Sequence, residues 1–274
     1  MSGLENTSYE PAGRYLLEIA YDGTSYAGWQ IQPHCLAVQQ VLQEQLAKLY
    51  QCDAIHLIGS SRTDAGVHAL GFAATFLYPE RPGIPMERVM TALNRRLPPD
   101  IKIRSIKEVP KEFHARYDAK GKAYTYVFNF GDETPFSARY SWRAPHRLNP
   151  DAIREAAGML TGTHDYSSFV VERSMIEEAV RTIYRIDVNE TGKYCCVTFV
   201  GNGFLYKMIR CLIGTLEAAG SGAISAAAVK RILEAKDRCQ APETAPARGL
   251  FLMKVFYSDE ELAAYRFDGL PVLF

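Results

Sequence analysis

The sequence predicts an α+β chain of two halves that share one order of elements, β-α-β-β-α-β, as in ferredoxin-like or RRM-like domains. Three observations predict it. Apolar residues recur at helical spacing in separate stretches of each half, and short runs of alternating or continuous apolar residues lie between them. No long Gly- or Ser-rich linker interrupts the chain, so the halves are expected to dock rather than to be tethered.

The elements follow in order. Tyr15 to Tyr21 alternates and ends at the turn signal Asp22-Gly23, so it reads as a strand. Val38, Val41, Leu42, Leu46 and Leu49 lie at helical spacing among Gln, Glu and Lys, the pattern of an amphipathic helix. Ala54 to Ile58 reads as a short strand, running into a loop from Gly59 to His68 without apolar periodicity. Phe72, Ala74 and Phe76 alternate as a strand does. Pro85 opens a second helix with Met86, Val89, Met90, Leu93 and Leu97 on one face, and Pro98-Pro99 stops it. Ile101, Ile103 and Ile106 mark the next strand.

The second half reads similarly. Tyr124 to Phe130 is rich in β-formers. Asn149-Pro150 has the form of an N-cap and first helical position, followed by Ile153, Ala156, Ala157 and Leu160. Val180 to Val188 and Tyr194 to Val200 read as a hairpin turning near Asn189 and Gly192. A helix is expected over Phe204 to Ala219, with Leu205, Met208, Ile209, Leu212, Ile213 and Leu216 as its buried stripe. A shorter helix from Ile224 to Ala235 and a last strand from Leu250 to Tyr257 complete the pattern. The seam is placed near Pro110, dividing the chain into residues 13–110, residues 111–258 and a tail of residues 259–274.

Composition narrows the function. Lys plus Arg total 31 and Asp plus Glu total 31, so a polycation that coats nucleic acid by net charge is excluded. The balance is uneven along the chain. From Arg95 to Arg154 thirteen basic side chains face seven acidic ones, interleaved with Phe113, Tyr117, Tyr124, Tyr126, Phe128, Phe136, Tyr140 and Trp142. Arg among aromatics suits phosphate contact and base stacking; the same stretch also fits a strand with core aromatics and solvated basic ends. The six cysteines form no C-x-x-C pair and no His lies at zinc-finger spacing, so neither a zinc module nor a redox motif is expected. No apolar run reaches the roughly 18–20 residues that span a membrane, and the polar opening segment does not resemble a signal peptide. These features point to a cytoplasmic chain with reduced thiols and no membrane partner.

The most informative stretch is GSSRTDAGVHALG, from Gly59 to Gly71. Small residues let backbone approach a ligand closely, and the loop presents one carboxylate, Asp64, flanked by Arg62, Thr63 and His68. An Arg two residues from an Asp can hold the carboxylate ionised and oriented, as a nucleophile requires. An Asp capping a turn, with Arg62 as its surface partner, fits the same residues. P-loop, G-x-S-x-G and H-E-x-x-H patterns are absent.

RTDAGVHA resembles the active-site signature of the bacterial tRNA pseudouridine synthase A family. YDGTSYAGWQIQP, FHARYDAKGKAYTYVF, GNGFLYKMIRCLIG and ARGLFLMKVFY resemble that family too, in order and at similar spacing, from about Tyr15 to Tyr257. The resemblance implies two ferredoxin-like halves joined into one mostly antiparallel sheet with a central cleft. It also implies a homodimer that needs no cofactor or metal and isomerises uridine to pseudouridine at positions 38, 39 and 40 of the tRNA anticodon arm.

Carried over residue by residue, the family's nucleophile is Asp64 and the neighbouring Arg that helps extrude the nucleotide is Arg62. The active-site Tyr, which stacks on the flipped uracil, is placed at Tyr124 rather than Tyr126. The basic partner of the nucleophile is matched to Arg210, with Lys207 as the alternative on the same expected helix face. Leu250 packs against the base. Ser61 stands where many members have Gly, and nothing in the family's pattern accounts for the acidic tail after Asp259.

The chemistry fits these residue types. A stacked base must be flipped out, at roughly a few kcal/mol. The C1′–N1 bond then breaks, the uracil rotates and a C1′–C5 bond forms; all atoms are retained, so no redox carrier or second substrate is needed. A carboxylate can act by attack at C1′, by withdrawing the C2′ proton, or by addition to C6 of the base, and the residues do not choose among these. Two other classes compete: a catalytically silent tRNA-binding or chaperone protein on the same halves, and a carboxylate glycosidase. The latter needs a second acidic residue about 5–10 Å from the first, and none stands out in the loop.

Overall fold

The computed structural model describes residues 9–80, 82–171 and 178–272, and the polar opening stretch through Ser8 lies outside them. The chain divides into two compact units between Ala119 and Lys120.

In the first unit the central strand is β1 (Pro11–Tyr21). It pairs antiparallel with β3 (His68–Pro79) on one side and β4 (Ile101–Val109) on the other. A two-residue β2 (Ile58–Gly59) lies outside β3, giving the order β4-β1-β3-β2. Helix α1 (Val38–Tyr50) buries Val38, Leu42, Leu46 and Tyr50, a stripe at four-residue spacing. Helix α2 (Met86–Arg96) buries Val89 and Leu93. Leu17, Ile19, Phe72 and Phe76 of the sheet are fully buried, and Tyr50 meets Phe76 edge-on at 6.2 Å.

The strand expected over Ala54 to Ile58 shrinks to its last residue plus Gly59, for a specific reason. The Leu57 N–H donates to Gln43 Oε1 (2.9 Å) and the Leu57 carbonyl accepts from Gln39 Nε2 (2.9 Å). Two glutamines of α1 therefore satisfy the backbone that a neighbouring strand would otherwise take. On the opposite edge, Asn94 of α2 accepts from the Ile103 N–H (2.8 Å) and donates to the Ile103 carbonyl (2.9 Å). That capping blunts an edge open to pairing with another chain.

The second unit has β5 (Gly121–Asn129) between β8 (Tyr194–Gly201) and β9 (Leu250–Phe256). Strand β7 (Val180–Thr191) pairs with β8, and β6 (Gly162–Asp165) extends the edge, giving the order β9-β5-β8-β7-β6. With β6 set aside and strands numbered within each unit, both sheets run fourth-first-third-second, so the ferredoxin-like repeat expected from the element order is present twice. Strand β6 is an addition. Its Gly-Thr-His-Asp sequence has no apolar alternation, because it covers an edge rather than a core.

Among the helices, the expected cap holds: Asn149 Oδ1 accepts from the Asp151 N–H (2.9 Å) at the start of α4 (Pro150–Met159), after the single turn α3 (Ser137–Tyr140). The helix expected from Phe204 instead begins four residues later, as α5 (Met208–Gly220). Asn202 prolongs the β-ladder, with its N–H donating to the Thr182 carbonyl (3.0 Å) and its side chain accepting from the Thr182 N–H (2.9 Å). Lys207 then adopts φ +57°, which no right-handed helix continues through. Lys207 and Arg210 therefore do not share a helix face as the sequence suggested. Helix α6 (Ala226–Ala235) is capped by Ser225. The acidic tail forms α7 (Asp259–Ala264) and returns to β7, where the Tyr265 carbonyl accepts from Arg185 (2.6 Å) and the Phe267 carbonyl from Asn189 (3.0 Å).

Helix α5 is almost wholly buried, and it encloses one carboxylate oxygen, Glu217 Oε1, with no hydrogen-bond partner among the described residues. Burial pushes this carboxyl above the usual range, and His146 opposes the shift. A carboxyl whose folded pKa is raised favours the fold below its unfolded pKa and disfavours it as pH climbs past that value. Glu217→Gln is accordingly expected to raise Tm by about 2–4 °C at pH 7–8. The gain should shrink as pH falls toward 4, read by thermal melts across pH.

Candidate active site

The loop from Ser60 to Val67 leaves β2 and enters β3, and one segment of the same unit, Asp22 to Trp29, cradles it. The Ser60 N–H donates to the Ala73 carbonyl (2.8 Å), and the Trp29 N–H to the Thr63 carbonyl (3.2 Å). Thr63 Oγ1 lies 2.8 Å from the Tyr21 hydroxyl. The Gly66 N–H donates to the Tyr26 carbonyl (3.3 Å), and the Val67 N–H closes a turn onto the Asp64 carbonyl (3.1 Å). Backbone bonds thus hold the chain on both sides of Asp64.

Two glycines make that approach possible. A Cβ on Gly23 would sit 2.0 Å from the Val67 carbonyl oxygen, and one on Gly28 would sit 2.2 Å from that of Thr63. Gly28 also has φ +92°, where side chains are disfavoured. The indole of Trp29, stacked on Phe72 at 4.0 Å, fills the space over Gly59. The motif YDGTSYAGW is therefore a seat for the loop that carries Asp64, a role its composition alone did not reveal.

Asp64 is half-buried, whereas Arg62 points to solvent and makes no ion pair among the described residues. The suggestion that Arg62 holds the Asp64 carboxylate is corrected by this. The two side chains flank Thr63, whose burial turns them to different environments.

In the second unit, Tyr124 and Tyr126 point to the same face of β5. Tyr126 is fully enclosed, its hydroxyl donates to the Pro246 carbonyl (2.9 Å), and burial holds its phenol far above the usual range. Tyr124 keeps 7% of its surface and meets Phe204 edge-on at 5.3 Å. Arg210 lies in the first turn of α5, where its Nε donates to the Ala245 carbonyl (2.8 Å) while the Ala245 N–H donates to the Arg210 carbonyl (3.0 Å). Gly214 permits this contact, since a Cβ there would fall 1.8 Å from the Glu243 carbonyl oxygen. Lys207 instead lies over the Tyr206 ring at 4.8 Å. Leu250 is buried at the start of β9, opposite Tyr126. Phe204 and Ala245, which frame Tyr124 and Arg210, were not singled out from sequence; their signal lay in the GNGF and APARGL stretches.

A family model described as tRNA pseudouridine synthase matches residues 18–118 and 156–258, which contain Arg62, Asp64, Arg210 and Leu250; Tyr124 falls between the matched stretches. With both ferredoxin-like sheets this defines the class: the chain belongs to the tRNA pseudouridine synthase family, isomerases that rearrange uridine within tRNA. More particularly, it is 41% identical over 250 residues to tRNA pseudouridine synthase A 1 of Protochlamydia amoebophila, covering 90% of this chain and 97% of that one. It is 42% identical to tRNA pseudouridine synthase A of Geobacillus kaustophilus, over 92% of this chain and 97% of that one. Against the protein of the same name from Lacticaseibacillus casei the identity is 43%, over 89% and 99%.

The glycine seat makes a prediction. Gly28→Ala drives a methyl group into the Thr63 carbonyl and shifts Asp64 with it. A displacement of about 1 Å costs on the order of 10²-fold in rate. Pseudouridine formation under saturating tRNA is expected to fall by that factor, with tRNA binding by filter assay within about threefold of wild type.

Proposed function

We propose that this enzyme isomerises uridine to pseudouridine at positions 38, 39 and 40 in the tRNA anticodon arm, acting on a flipped-out base with Asp64 as nucleophile. The seating of Asp64 carries the reading: a carboxylate on a turn of small residues, with backbone bonds to Thr63 and Gly66 on either side. Such anchoring supplies the orientation that a carboxylate must have before it acts on a sugar or base carbon.

The other roles follow from environment. Arg62, exposed, enters the place the base vacates. Tyr124, less enclosed than Tyr126, provides the stacking face. Arg210, fixed through its Nε, is the basic partner of the nucleophile, and Leu250 packs on the base. During the reaction C1′–N1 breaks and C1′–C5 forms, the C5 proton leaves and N1 gains one, so substrate and product are isomers. We place the enzyme in the cytoplasm as a homodimer, where its tRNA substrates reside.

Unmodified tRNA transcripts incubated with enzyme, then mapped by carbodiimide labelling and reverse-transcription stops, test this. Wild type is expected to give stops at the three positions. Asp64→Asn is expected to lose them, a fall on the order of 10⁴-fold or more, while still binding tRNA. Persisting stops in Asp64→Asn sink the nucleophile assignment, and stops elsewhere in the tRNA sink the anticodon-arm assignment.

The basic stretch has its own test. Arg139 and Arg143 are exposed, and Phe136, whose carbonyl accepts from the Arg139 N–H (3.3 Å), keeps 78% of its surface on a turn held by Ser137 and Thr134. Removing both charges (Arg139→Gln with Arg143→Gln) is expected to weaken tRNA binding and flatten the slope of log K against log salt by up to about 1.5. An unchanged slope marks them as ordinary surface charge.

A further inference from the structure

His68, the seventh residue of the RTDAGVHA signature, is 1% exposed and has no role in the proposed chemistry. It is the first residue of β3, immediately after the loop that carries Asp64. Its Nδ1 accepts from the Gly23 N–H (3.1 Å), and the same nitrogen lies 3.1 Å from Asp22 Oδ1. One nitrogen cannot accept from an N–H and donate to a carboxylate together. The acceptor arrangement is favoured, because Asp22 Oδ1 already takes the Thr24 N–H (3.0 Å) and the Thr24 hydroxyl (2.5 Å). Nδ1 is then the unprotonated nitrogen.

The bond matters because of where Gly23 sits. The Gly23 α-carbon lies against the Val67 carbonyl, with no room for a side chain between them. Gly23 and Val67 are therefore held together from two sides: backbone against backbone, and the imidazole of the next residue bonded to the Gly23 N–H. The cradle is itself fixed from behind. The Asp22 N–H donates to the Asp100 carbonyl (2.9 Å), and the Tyr26 hydroxyl to Asp100 Oδ1 (2.7 Å). Tyr26 in turn receives the Gly66 N–H, two residues beyond Asp64.

We infer that His68 is a positioning residue for pseudouridine formation, its Nδ1 latching the end of the Asp64 loop onto the Gly23 N–H, in the turn that the Asp22 cap on Thr24 holds. This rests on Asp64 being the nucleophile. Loss of the latch lets the loop swing at its β3 end while its Trp29 and Tyr26 bonds persist, so catalysis suffers more than substrate binding.

The test compares three substitutions. Asn places its Oδ1 where Nδ1 was, Gln places its acceptor where Nε2 was, and Leu has no acceptor. His68→Leu and His68→Gln are expected to lower kcat on the order of 10- to 100-fold with KM for tRNA within about threefold, and His68→Asn to recover to within about fivefold of wild type. A folded His68→Leu with wild-type kcat, or a His68→Asn no better than His68→Leu, overturns the inference. If the buried site tolerates no change, the less buried Asp22 takes over the test: Asp22→Asn keeps the cap on Thr24 and is expected to stay within about fivefold, whereas Asp22→Ala shows the same fall in kcat. An Asp22→Ala enzyme of full kcat overturns it too. Asp64→Asn assayed alongside separates the two claims. An active Asp64→Asn removes the reading beneath; an inactive one beside a fully active His68→Leu removes only the latch.

Discussion

The first unit depends on one constraint: the segment from Asp22 to Trp29 must lie in backbone contact with the loop from Thr63 to His68. The approach is closer than any side chain allows. Gly23 and Gly28 stand at the two contact points, with the Val67 and Thr63 carbonyls where their side chains would be. Hydrogen bonds alone would not define this geometry, since a loop of Ser, Thr, Ala and Gly has many backbone conformations and few buried apolar atoms to select one. The neighbouring strands supply the rest. β1 delivers the cradle and β3 receives the loop, and the two are paired along nearly their whole length. A long antiparallel ladder thereby holds a short irregular contact.

The second unit repeats the device with different parts. Helix α5 approaches the stretch from Glu243 to Ala245 so closely that Gly214 has backbone where a side chain would be. Reciprocal bonds between Arg210 and Ala245 then fix the first turn of the helix. A guanidinium anchored by Nε loses little further freedom when its terminal nitrogens engage an anion, which is the advantage of Arg over Lys at such a site. Lys207, in a left-handed backbone conformation with its amine over Tyr206, has no comparable anchor. The sequence leaves both residues open because its periodicity starts the helix four residues before α5 begins.

What the sequence disclosed, and what it did not, divides along physical lines. Apolar periodicity located α1, α2, α4 and the core strands, because each buries one continuous face. It failed where backbone groups are satisfied by side chains. Gln39 and Gln43 replace a strand partner at Leu57, and Asn202 adds a rung after β8. Neither event leaves a mark in hydrophobic pattern. It also failed for β6 and α7, which cover edges with polar residues. The Asp64 loop was legible as a candidate site through one carboxylate among small residues together with the resemblance of RTDAGVHA to the family signature. Its seat was not legible, because the need for Gly23 and Gly28 arises from residues some forty positions away. Of the two readings of Arg62 beside Asp64, nearness in sequence suggested an ion pair that the turned backbone does not make.

The two tyrosines of β5 show how far environment can separate identical side chains. They lie two residues apart on one face of a strand, so neither composition nor periodicity distinguishes them. Tyr126 opposes Leu250 and spends its hydroxyl on the Pro246 carbonyl inside the unit. Ionising that phenol would strand a charge where water cannot reach, so its proton is unavailable at any working pH. Tyr124 sits beyond a register shift between Ala123 and Tyr124, opposite Leu252, with Phe204 against its edge. The extra residue of that shift, Met253, lies on β9, and Tyr124 and Tyr126 fall on the same side of it. An edge-on neighbour leaves a ring face uncovered by that neighbour, and a ring face is what a pyrimidine needs for stacking. Of the two, Tyr124 keeps the larger exposure, and the neighbours rather than the side chain itself set the difference.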